Sequence, residues 1–221
     1  MDRSVKTYHA RGGRSQPRAK RAVHELLPRY GVEPSGPPLE LSSLFNPSLP
    51  VVLELGSGMG DATTTMAAES PEIGIVAVEV HTPGVGRLLR RIERENLTNV
   101  AVVHGDGIQF IHERIPERSL SGFRSFFPDP WPKKKHHKRR LIRPALVSLI
   151  ASRLDAGARL HVATDWLEYA EQMVAVVEAE PSFEVVFVGD TDCPLSRPRT
   201  RFEIKGIAKG HTITDIVARK K

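Results

Sequence analysis

Residues 126–140 combine one acid, one large aromatic residue and a dense basic block in a single short segment. The segment reads FFPDPWPKKKHHKRR, and every residue from Lys133 to Arg140 is Lys, Arg or His. Prolines on both sides of Asp129 restrict its backbone, so its carboxylate is predicted to be held in a stiff turn. This pattern predicts a site that handles a planar, partly charged group while it binds a polyanion.

The basic block is predicted to contact phosphates, with a contribution that falls as salt rises. Trp131 can either stack on a base or pack in the core, and both alternatives remain open. No metal site is predicted, because adjacent histidines point in different directions and no matching ligands lie close in sequence. The residues predicted to contact phosphates are Lys133, Lys135, His136, His137, Lys138, Arg139 and Arg140.

A glycine turn follows the first apolar strand, in the segment ELGSGMGD of residues 54–61. Glycines at these positions let the backbone turn tightly and approach a ligand closely. The dinucleotide-binding fingerprint places its third glycine one residue later, at the position that Asp61 occupies. An acid at that helix start repels a pyrophosphate, which argues against a nicotinamide or flavin enzyme.

Four acids end predicted strands or stand next to their ends, and ligands of open α/β sheets bind at the carboxyl ends of strands. An acidic rim of this kind suits S-adenosylmethionine, which carries a sulfonium, an ammonium and a ribose. Pairing of each acid with an arginine or a helix N-terminus is the structural alternative. In the predicted donor site, Gly56 and Gly58 bring the backbone close to the ligand, and Glu79 accepts hydrogen bonds from the ribose hydroxyls. Asp106 or its backbone meets the adenine amine. Glu54 acts on the methionine end through its field or through a water.

Asp129 is predicted to lie at the methyl acceptor. Methylation of a ring nitrogen needs alignment and compensation of the arising positive charge, and a fixed carboxylate at the edge of the base supplies both. Asp165 follows the fifth strand, where either a substrate contact or a helix N-cap role is open.

Strands and helices alternate along the chain, which predicts an α/β fold with a doubly wound, mostly parallel sheet. Helices are predicted over 18–29, 61–70, 84–96, 108–114, 138–154 with an early kink at Pro144, and 166–179. Strands are predicted over 51–55, 73–80, 100–104, 120–127, 160–164, 183–188 and 199–208.

Composition sets outer limits on the function. The 221 residues carry a net charge of +6, and the basic residues are clustered, as in proteins that bind a phosphate backbone. No apolar run approaches a membrane span, no secretory signal is present, and the lone Cys193 excludes an internal disulfide, which together predict a cytoplasmic protein. Residues 1–47 are predicted to form a basic, partly flexible arm that helps to hold RNA, and residues 48–221 a catalytic domain.

Several motifs in one order resemble the TrmB-type bacterial tRNA (guanine-N7-)-methyltransferases. The block around Asp129 is highly specific, whereas the glycine turn is shared with many methyltransferases. Ser57 and the proline-rich segment 193–198 depart from the family pattern. The matching motifs are Leu53–Gly60, Val78–Gly86, His104–Asp106, Phe127–Lys133, His137–Arg140, Ala163–Trp166 and Thr200–Glu203.

The resemblance implies a class I methyltransferase fold, a seven-stranded sheet with an antiparallel last strand. It implies methylation of a guanosine in the tRNA variable loop, with S-adenosylmethionine as donor, S-adenosylhomocysteine as product and no metal. An enzyme that methylates an exocyclic base amine and a non-catalytic RNA-binding module remain alternatives, as do a monomer and a homodimer. By motif position, Glu54, Glu79, Asp106 and Asp129 bind the donor, Asp129 is also catalytic, and Lys133, Asp165, Thr200, Arg201, Phe202 and Glu203 contact the substrate.

Overall fold

The computed structural model describes Thr7 and residues 17–221. In this part of the chain seven strands form one sheet in the order β3-β2-β1-β4-β5-β7-β6, and β7 runs antiparallel to both of its neighbours. The predicted fold class, including the antiparallel last strand, is therefore confirmed. The strands are β1 (Val51–Leu55), β2 (Gly74–Glu79), β3 (Val100–His104), β4 (Leu120–Phe126), β5 (Leu154–Thr164), β6 (Phe183–Gly189) and β7 (Thr214–Lys220).

Helices cover both faces of the sheet because alternate strand residues point to opposite sides. Ile75 and Ala77 of β2 pack in the core under α1 to α3, whereas Val76 and Val78 pack in the core that includes α4 to α6. None of the helices within the described ranges is long and apolar enough to cross a membrane. The helices are α1 (Pro17–Tyr30), α2 (Asp61–Glu69), α3 (Thr82–Glu95), α4 (Gly107–Arg114), α5 (Pro144–Arg153), α6 (Leu167–Glu178) and α7 (Arg201–Ile207), with 3₁₀ turns at Leu41–Ser43 and Lys134–Arg139.

The segment after residue 16 packs against the edge of the sheet. Gly86 of α3 allows close approach to α1, since an added Cβ would meet the Ala19 backbone oxygen at 2.6 Å. Beyond α1, the Val32 amide donates to the Val102 oxygen of β3 at 2.9 Å. Residues 17–32 thus pack onto α3 and β3, while the rest of the predicted arm before residue 17, apart from Thr7, lies outside the described residues.

Three predicted elements differ clearly from the structure. The strand predicted over 160–164 begins six residues earlier, since β5 runs over Leu154–Thr164. The strand predicted over 199–208 is wrong, because Thr200 and Glu203 form a capping box that starts helix α7 there, and the last strand is β7. The helix predicted over 138–154 begins only at Pro144, because the residue before a proline disfavours helical backbone and Arg143 is extended (φ −140°, ψ 161°).

Candidate active site

A cavity of about 300 Å³ opens at the carboxyl ends of the central strands. Strand order reverses between β1 and β4, and α/β sheets bind ligands at such a switch point. Glycines, acids and aromatic residues from several connections contribute to its wall. The lining residues are Thr7, Leu55, Gly56, Gly58, Met59, Val78, Glu79, Val80, His81, Gly105, Asp106, Gly107, Ile108, Ser125, Phe126, Phe127, Pro128, Asp129, Leu141 and Phe202.

The glycine turn presents bare backbone to this cavity. Gly56 and Gly58 have φ values of 86° and 58°, in the left-handed region that favours glycine. A Cβ added to either glycine would meet no atom within 4 Å, so the space in front of both is open. Ser57 lies between them, and its buried hydroxyl has no hydrogen-bond partner within the described residues. The turn thus offers a ligand close backbone approach at Gly56 and Gly58.

Glu79 fixes the turn from the neighbouring strand. Its Oε2 accepts from the Gly58 amide at 2.8 Å, and its Oε1 accepts from the His81 amide at 2.8 Å. Burial raises the pKa of the Glu79 carboxyl, and these backbone donors oppose the rise without cancelling it. A half-buried carboxylate that lines the cavity and holds the glycine turn is suited to accept hydrogen bonds from a bound hydroxyl.

Asp106 combines a structural role with its place on the wall. Its Oδ1 accepts from the amides of Ile108 and Gln109 at 3.0 and 3.2 Å, which caps α4. The sequence left open that any one of the four acids pairs with a helix N-terminus, and Asp106 does so. Asp106 also lines the cavity.

Asp129 is half-buried and lines the same cavity, in a turn of unusual backbone geometry. Phe127 and Trp131 flank it with φ values of 54° and 45°, a region that few non-glycine residues adopt. The Phe127 amide donates to the Ala163 oxygen at 2.8 Å, which ties the turn to β5. The predicted stiff turn is present, and left-handed residues on both sides add to the restriction by proline.

Trp131 packs in the interior, which is the second of the two alternatives that the sequence left open for it. The ring is 3% exposed, and its Nε1 donates to the Thr7 backbone oxygen at 3.1 Å. The Arg139 guanidinium lies 3.7 Å from the ring centroid and covers one face. Stacking of Trp131 on a base is therefore not supported, and the tryptophan instead contacts Arg139 of the basic block and the backbone of Thr7.

Glu54 lies one residue before the glycine turn but does not line the cavity. It is 3% exposed and pairs with Arg124, its register partner on β4, whose Nη2 lies 3.1 Å from Oε2. The structure therefore brings Glu79, Asp106 and Asp129 together on one wall and leaves Glu54 behind it. Arg124, the one charged residue of strand β4, was the sequence signal for this pair.

Among the residues of the basic block, Arg140 differs most from its predicted role as a phosphate contact. Its side chain is 1% exposed, so it is not presented to a phosphate as the other members of the block are. Its Nε donates to the Pro130 oxygen at 2.9 Å, and its Nη1 donates to Gln172 Oε1 of α6 at 2.6 Å. The guanidinium also lies 4.9 Å from the Tyr169 ring centroid. Arg140 thus fastens the turn that carries Asp129 to α6.

The remaining block residues are available to solvent to different degrees. Lys133, Lys135 and Lys138 are exposed, whereas His136, His137 and Arg139 are half-buried. The contacts of the two adjacent histidines do not indicate a metal site. His137 Nε2 lies 3.1 Å from an Arg140 nitrogen, and the His136 ring makes an edge contact with Trp131.

Asp165 does not cap α6, whose N-cap residue is Trp166. Its Oδ2 instead lies 3.0 Å from His211 Nδ1. Gly206 makes room for this carboxylate, since a Cβ there would lie 2.7 Å from Oδ2. Asp165 therefore contacts both α7 and the connection to β7, and nothing in the sequence pattern pointed to His211 as its partner.

A buried cluster of charges anchors the start of α7. Arg197 donates to both oxygens of Asp215 at 2.7 Å and to Glu203 Oε2 at 2.5 Å, and His161 Nε2 lies 2.6 Å from Asp215. Burial alone raises the pKa of Asp215, but the bonds from Arg197 and His161 outweigh it and hold that pKa below its usual range. Sequence reasoning missed this cluster because its members come from distant segments.

Because the start of α7 is anchored, the positions of the four predicted substrate residues there, Thr200 to Glu203, are fixed. Thr200 and Glu203 are engaged in the capping box, and Glu203 also pairs with Arg197. Phe202 lines the cavity although its side chain is 60% exposed. Arg201 Nε lies 3.1 Å from Asp61 Oδ2 at the start of α2.

Comparison with known proteins gives the same assignment as the motifs. Residues 48–216 match a family model described as "Putative methyltransferase". The chain is 47% identical to the tRNA (guanine-N(7)-)-methyltransferase of Streptomyces avermitilis over 100% of its own length and 77% of that protein. It is 43% identical to the enzyme of that name from Nitrosospira multiformis, over 99% of this chain and 96% of the relative.

Solved structures share the fold at low sequence identity. The crystal structure of the 16S rRNA methyltransferase KamB aligns with a TM-score of 0.60 at 13% identity, covering 82% of this chain and 93% of that one. Phosphoethanolamine N-methyltransferase 2 of Haemonchus contortus aligns with a TM-score of 0.51 at 15% identity, over 91% of this chain and 52% of that one. On the sequence matches, this chain belongs to the family of bacterial tRNA (guanine-N(7)-)-methyltransferases.

Proposed function

We propose that the protein transfers the methyl group of S-adenosylmethionine to N7 of a guanosine in the variable loop of tRNA. The observation that carries this proposal is the cavity in which Glu79, Asp106 and Asp129, from three different strand ends, face the open glycine turn. Relatives named for this activity are 43–47% identical over nearly the whole chain. The substrate tRNA also supports a cytoplasmic location.

The residues on the cavity wall fit a cationic methyl donor. When bound, S-adenosylmethionine supplies an electrophilic methyl group on a sulfonium. Glu79 is suited to accept from the ribose hydroxyls, because its two oxygens are already fixed by backbone donors and cannot turn away. Gly56 and Gly58 would admit the ligand close to the backbone, and Asp106 or the backbone beside it would meet the adenine amine. Glu54 is assigned an indirect role, through the strand that carries the turn and through its field.

Asp129 is assigned to the methyl acceptor. Its turn is fixed by proline on both sides, by left-handed residues and by the bond from Arg140 to the Pro130 oxygen. A carboxylate fixed in this way accepts from the edge of guanine, aligns N7 with the methyl group and compensates the positive charge that arises on the ring. No proton need be removed from N7, because its lone pair is free.

The exposed members of the basic block are assigned to the tRNA backbone, together with the half-buried His136, His137 and Arg139. Phe202 is exposed at the cavity wall and offers an aromatic surface to a base. Asp165, Thr200 and Glu203 act on the substrate mainly by holding α7, which presents Phe202 and Arg201.

A filter assay with labelled donor and unmodified tRNA tests this function. Transfer of label to tRNA is expected, and transfer should stop when the variable-loop guanosine is replaced by adenosine. Label that persists on the replaced tRNA would contradict the assigned target, and absence of label on any tRNA would contradict the activity.

The Asp129→Ala variant separates catalysis from binding. We expect tRNA affinity to remain nearly unchanged and turnover to fall by roughly 10²–10³-fold, the magnitude seen when one transition-state contact is removed. Asp190→Ala, at an exposed acid directly after β6, serves as the control. Wild-type turnover in the Asp129 variant would remove the assigned role.

A further inference from the structure

Three arginines converge on a single carboxylate at the start of α2. The Oδ1 of Asp61 lies 3.1 Å from Arg87 Nη2 and also pairs with Arg91 Nη1, and its Oδ2 lies 3.1 Å from Arg201 Nε. The side chains of Arg87 and Arg201 remain 34% and 56% exposed, so both can still reach a second anion. One carboxylate cannot neutralise three guanidinium groups.

A fourth arginine increases the imbalance. Arg90 donates from Nη1 to the Arg18 backbone oxygen at 3.3 Å and thus lies between α1 and α3. Burial and then the charges of Arg18 and Arg87 lower the pKa of Arg90, which reports repulsion between like charges. Arg91 also pairs with Glu95, whose Oε1 lies 3.3 Å from the Arg91 Nε. An added anion would relieve this repulsion.

The cluster stands beside the cavity. Asp61 follows the glycine turn directly, and Arg201 is adjacent in sequence to Phe202, which lines the cavity wall. The arginines of α3 lie on the face of the sheet that α1 to α3 cover. The basic block, by contrast, is fastened by Arg140 to α6, on the opposite face. Two basic surfaces therefore flank the cavity from opposite faces of the sheet.

We propose that Arg87, Arg90, Arg91 and Arg201 around Asp61, here termed the arginine cluster, bind the tRNA phosphate backbone on the side of the target guanosine opposite the basic block. This inference rests on tRNA as the substrate. The backbone then crosses the cavity mouth with one surface on each side, which holds the target nucleotide over the cavity. Phosphate binding by arginine is favoured by its planar, bidentate donors.

Equilibrium binding of unmodified tRNA at several salt concentrations, without methyl donor, tests the proposal. Each lost phosphate contact reduces the slope of log K against log salt by roughly 0.7–0.9. We expect the double variant Arg87→Gln/Arg90→Gln to lower the slope by about 1 to 2 and to bind about 5–25-fold more weakly at about 0.1 M salt. An unchanged slope would overturn the proposal.

Two further variants keep the test independent of folding defects. Arg29→Gln removes an equally basic residue whose side chain is 68% exposed and pairs with Glu93, outside the cluster, so its slope should stay at the wild-type value. Asp61→Asn raises the net charge of the cluster, so tRNA should bind more tightly with a steeper slope. Weaker binding by Asp61→Asn, or an equal loss in Arg29→Gln, would show that the cluster is structural.

Methyl transfer by the wild-type protein is measured in parallel. If the slopes change as expected but no 7-methylguanosine forms, the binding surface stands and the proposed reaction falls. If 7-methylguanosine forms but the double variant keeps the full slope, the reaction stands and the arginine cluster has no role in binding.

Discussion

Arg140 belongs to the most basic run of the chain, yet its guanidinium faces the interior. It bonds the Pro130 oxygen directly after Asp129 and the Gln172 side chain of α6. Removal of this buried guanidinium leaves its hydrogen-bond partners unsatisfied, and each unsatisfied buried group costs about 1–3 kcal/mol. Its place in the sequence suggested phosphate binding, whereas its contacts assign it to positioning of the catalytic turn.

We therefore expect Arg140→Lys to lower the free energy of unfolding by about 1–3 kcal/mol and to reduce kcat, because the planar donors that hold Pro130 are lost. The salt slope of tRNA binding should stay unchanged. Lys135→Gln, in the same block but exposed, should show the reverse, a slope lower by roughly 0.7–0.9 and unchanged stability. A reduced slope in Arg140→Lys would return this residue to the RNA surface.

Glu79 predicts a pH dependence of donor binding. Burial raises the pKa of Glu79, so within the folded protein its ionised form is lost at a higher pH than for an ordinary glutamate. By itself this shift stabilises the fold below the unfolded pKa, and that stabilisation is lost as pH rises through the folded pKa. Ribose hydroxyls need the ionised form as acceptor, so donor affinity should fall as pH decreases through the raised pKa.

Calorimetric titration of S-adenosylmethionine across that pH range measures the effect. Glu79→Gln should bind the donor more weakly and without this pH dependence, because a neutral amide does not titrate. Glu113→Gln, at an exposed acid of α4, should keep the wild-type profile. A wild-type profile in Glu79→Gln would contradict the assigned contact.

Helix α7 is the element on which substrate presentation depends. It is short, it carries the exposed Phe202 to the cavity, and its start is held by Arg197 through Glu203 and Asp215. Because this pairing is buried, removal of one partner leaves an uncompensated charge. The fixed position of α7 is therefore predicted to depend on Arg197 more than on helix propensity.

Arg197→Met should lower the free energy of unfolding by about 3–5 kcal/mol, the usual cost of breaking a buried pair. Hydrogen exchange should increase over residues 190–210, and the KM for tRNA should rise. Arg219→Met, which breaks a solvent-exposed pair with Glu184, should change the free energy of unfolding far less, because exposed ion pairs are screened by solvent. Equal costs for the two variants would show that Arg197 does not anchor α7.

The same cluster predicts acid sensitivity. The folded pKa of Asp215 lies below its ordinary value of 3.8, so its contribution to stability is present above that value and is lost as pH falls through the lower, folded pKa. Urea denaturation of the wild-type protein should show this loss at acid pH. The slope with pH should be smaller in Asp215→Asn, and an identical slope would exclude Asp215 as its source.

For the whole molecule, the sequence was most informative where local pattern and fold agree. The strands over 51–55 and 100–104 have the predicted bounds, and the acids at the ends of β2, β3 and β4 meet at the cavity as expected. Apolar runs that end in glycine turns determine these features locally.

Long-range pairing explains what the sequence did not predict. The partners Arg124 for Glu54 and His211 for Asp165 depend on sheet register and on contacts between distant segments. Burial of Arg140 could not be inferred from the sequence because its neighbours in the block are exposed. Helix α7 was the exception, since the Thr200–Glu203 capping box was present in the sequence and had been assigned to a strand.

The central claim is that an acid-lined cavity beside basic surfaces directs a methyl group to a ring nitrogen of guanine in tRNA. Mass analysis of nucleosides from unmodified tRNA, after incubation with the protein and isotopically labelled S-adenosylmethionine, tests it most directly. The account predicts label in 7-methylguanosine, formed roughly 10²–10³-fold more slowly by Asp129→Ala. Label on an exocyclic base amine, or no labelled nucleoside with a protein that binds both tRNA and donor, would contradict it.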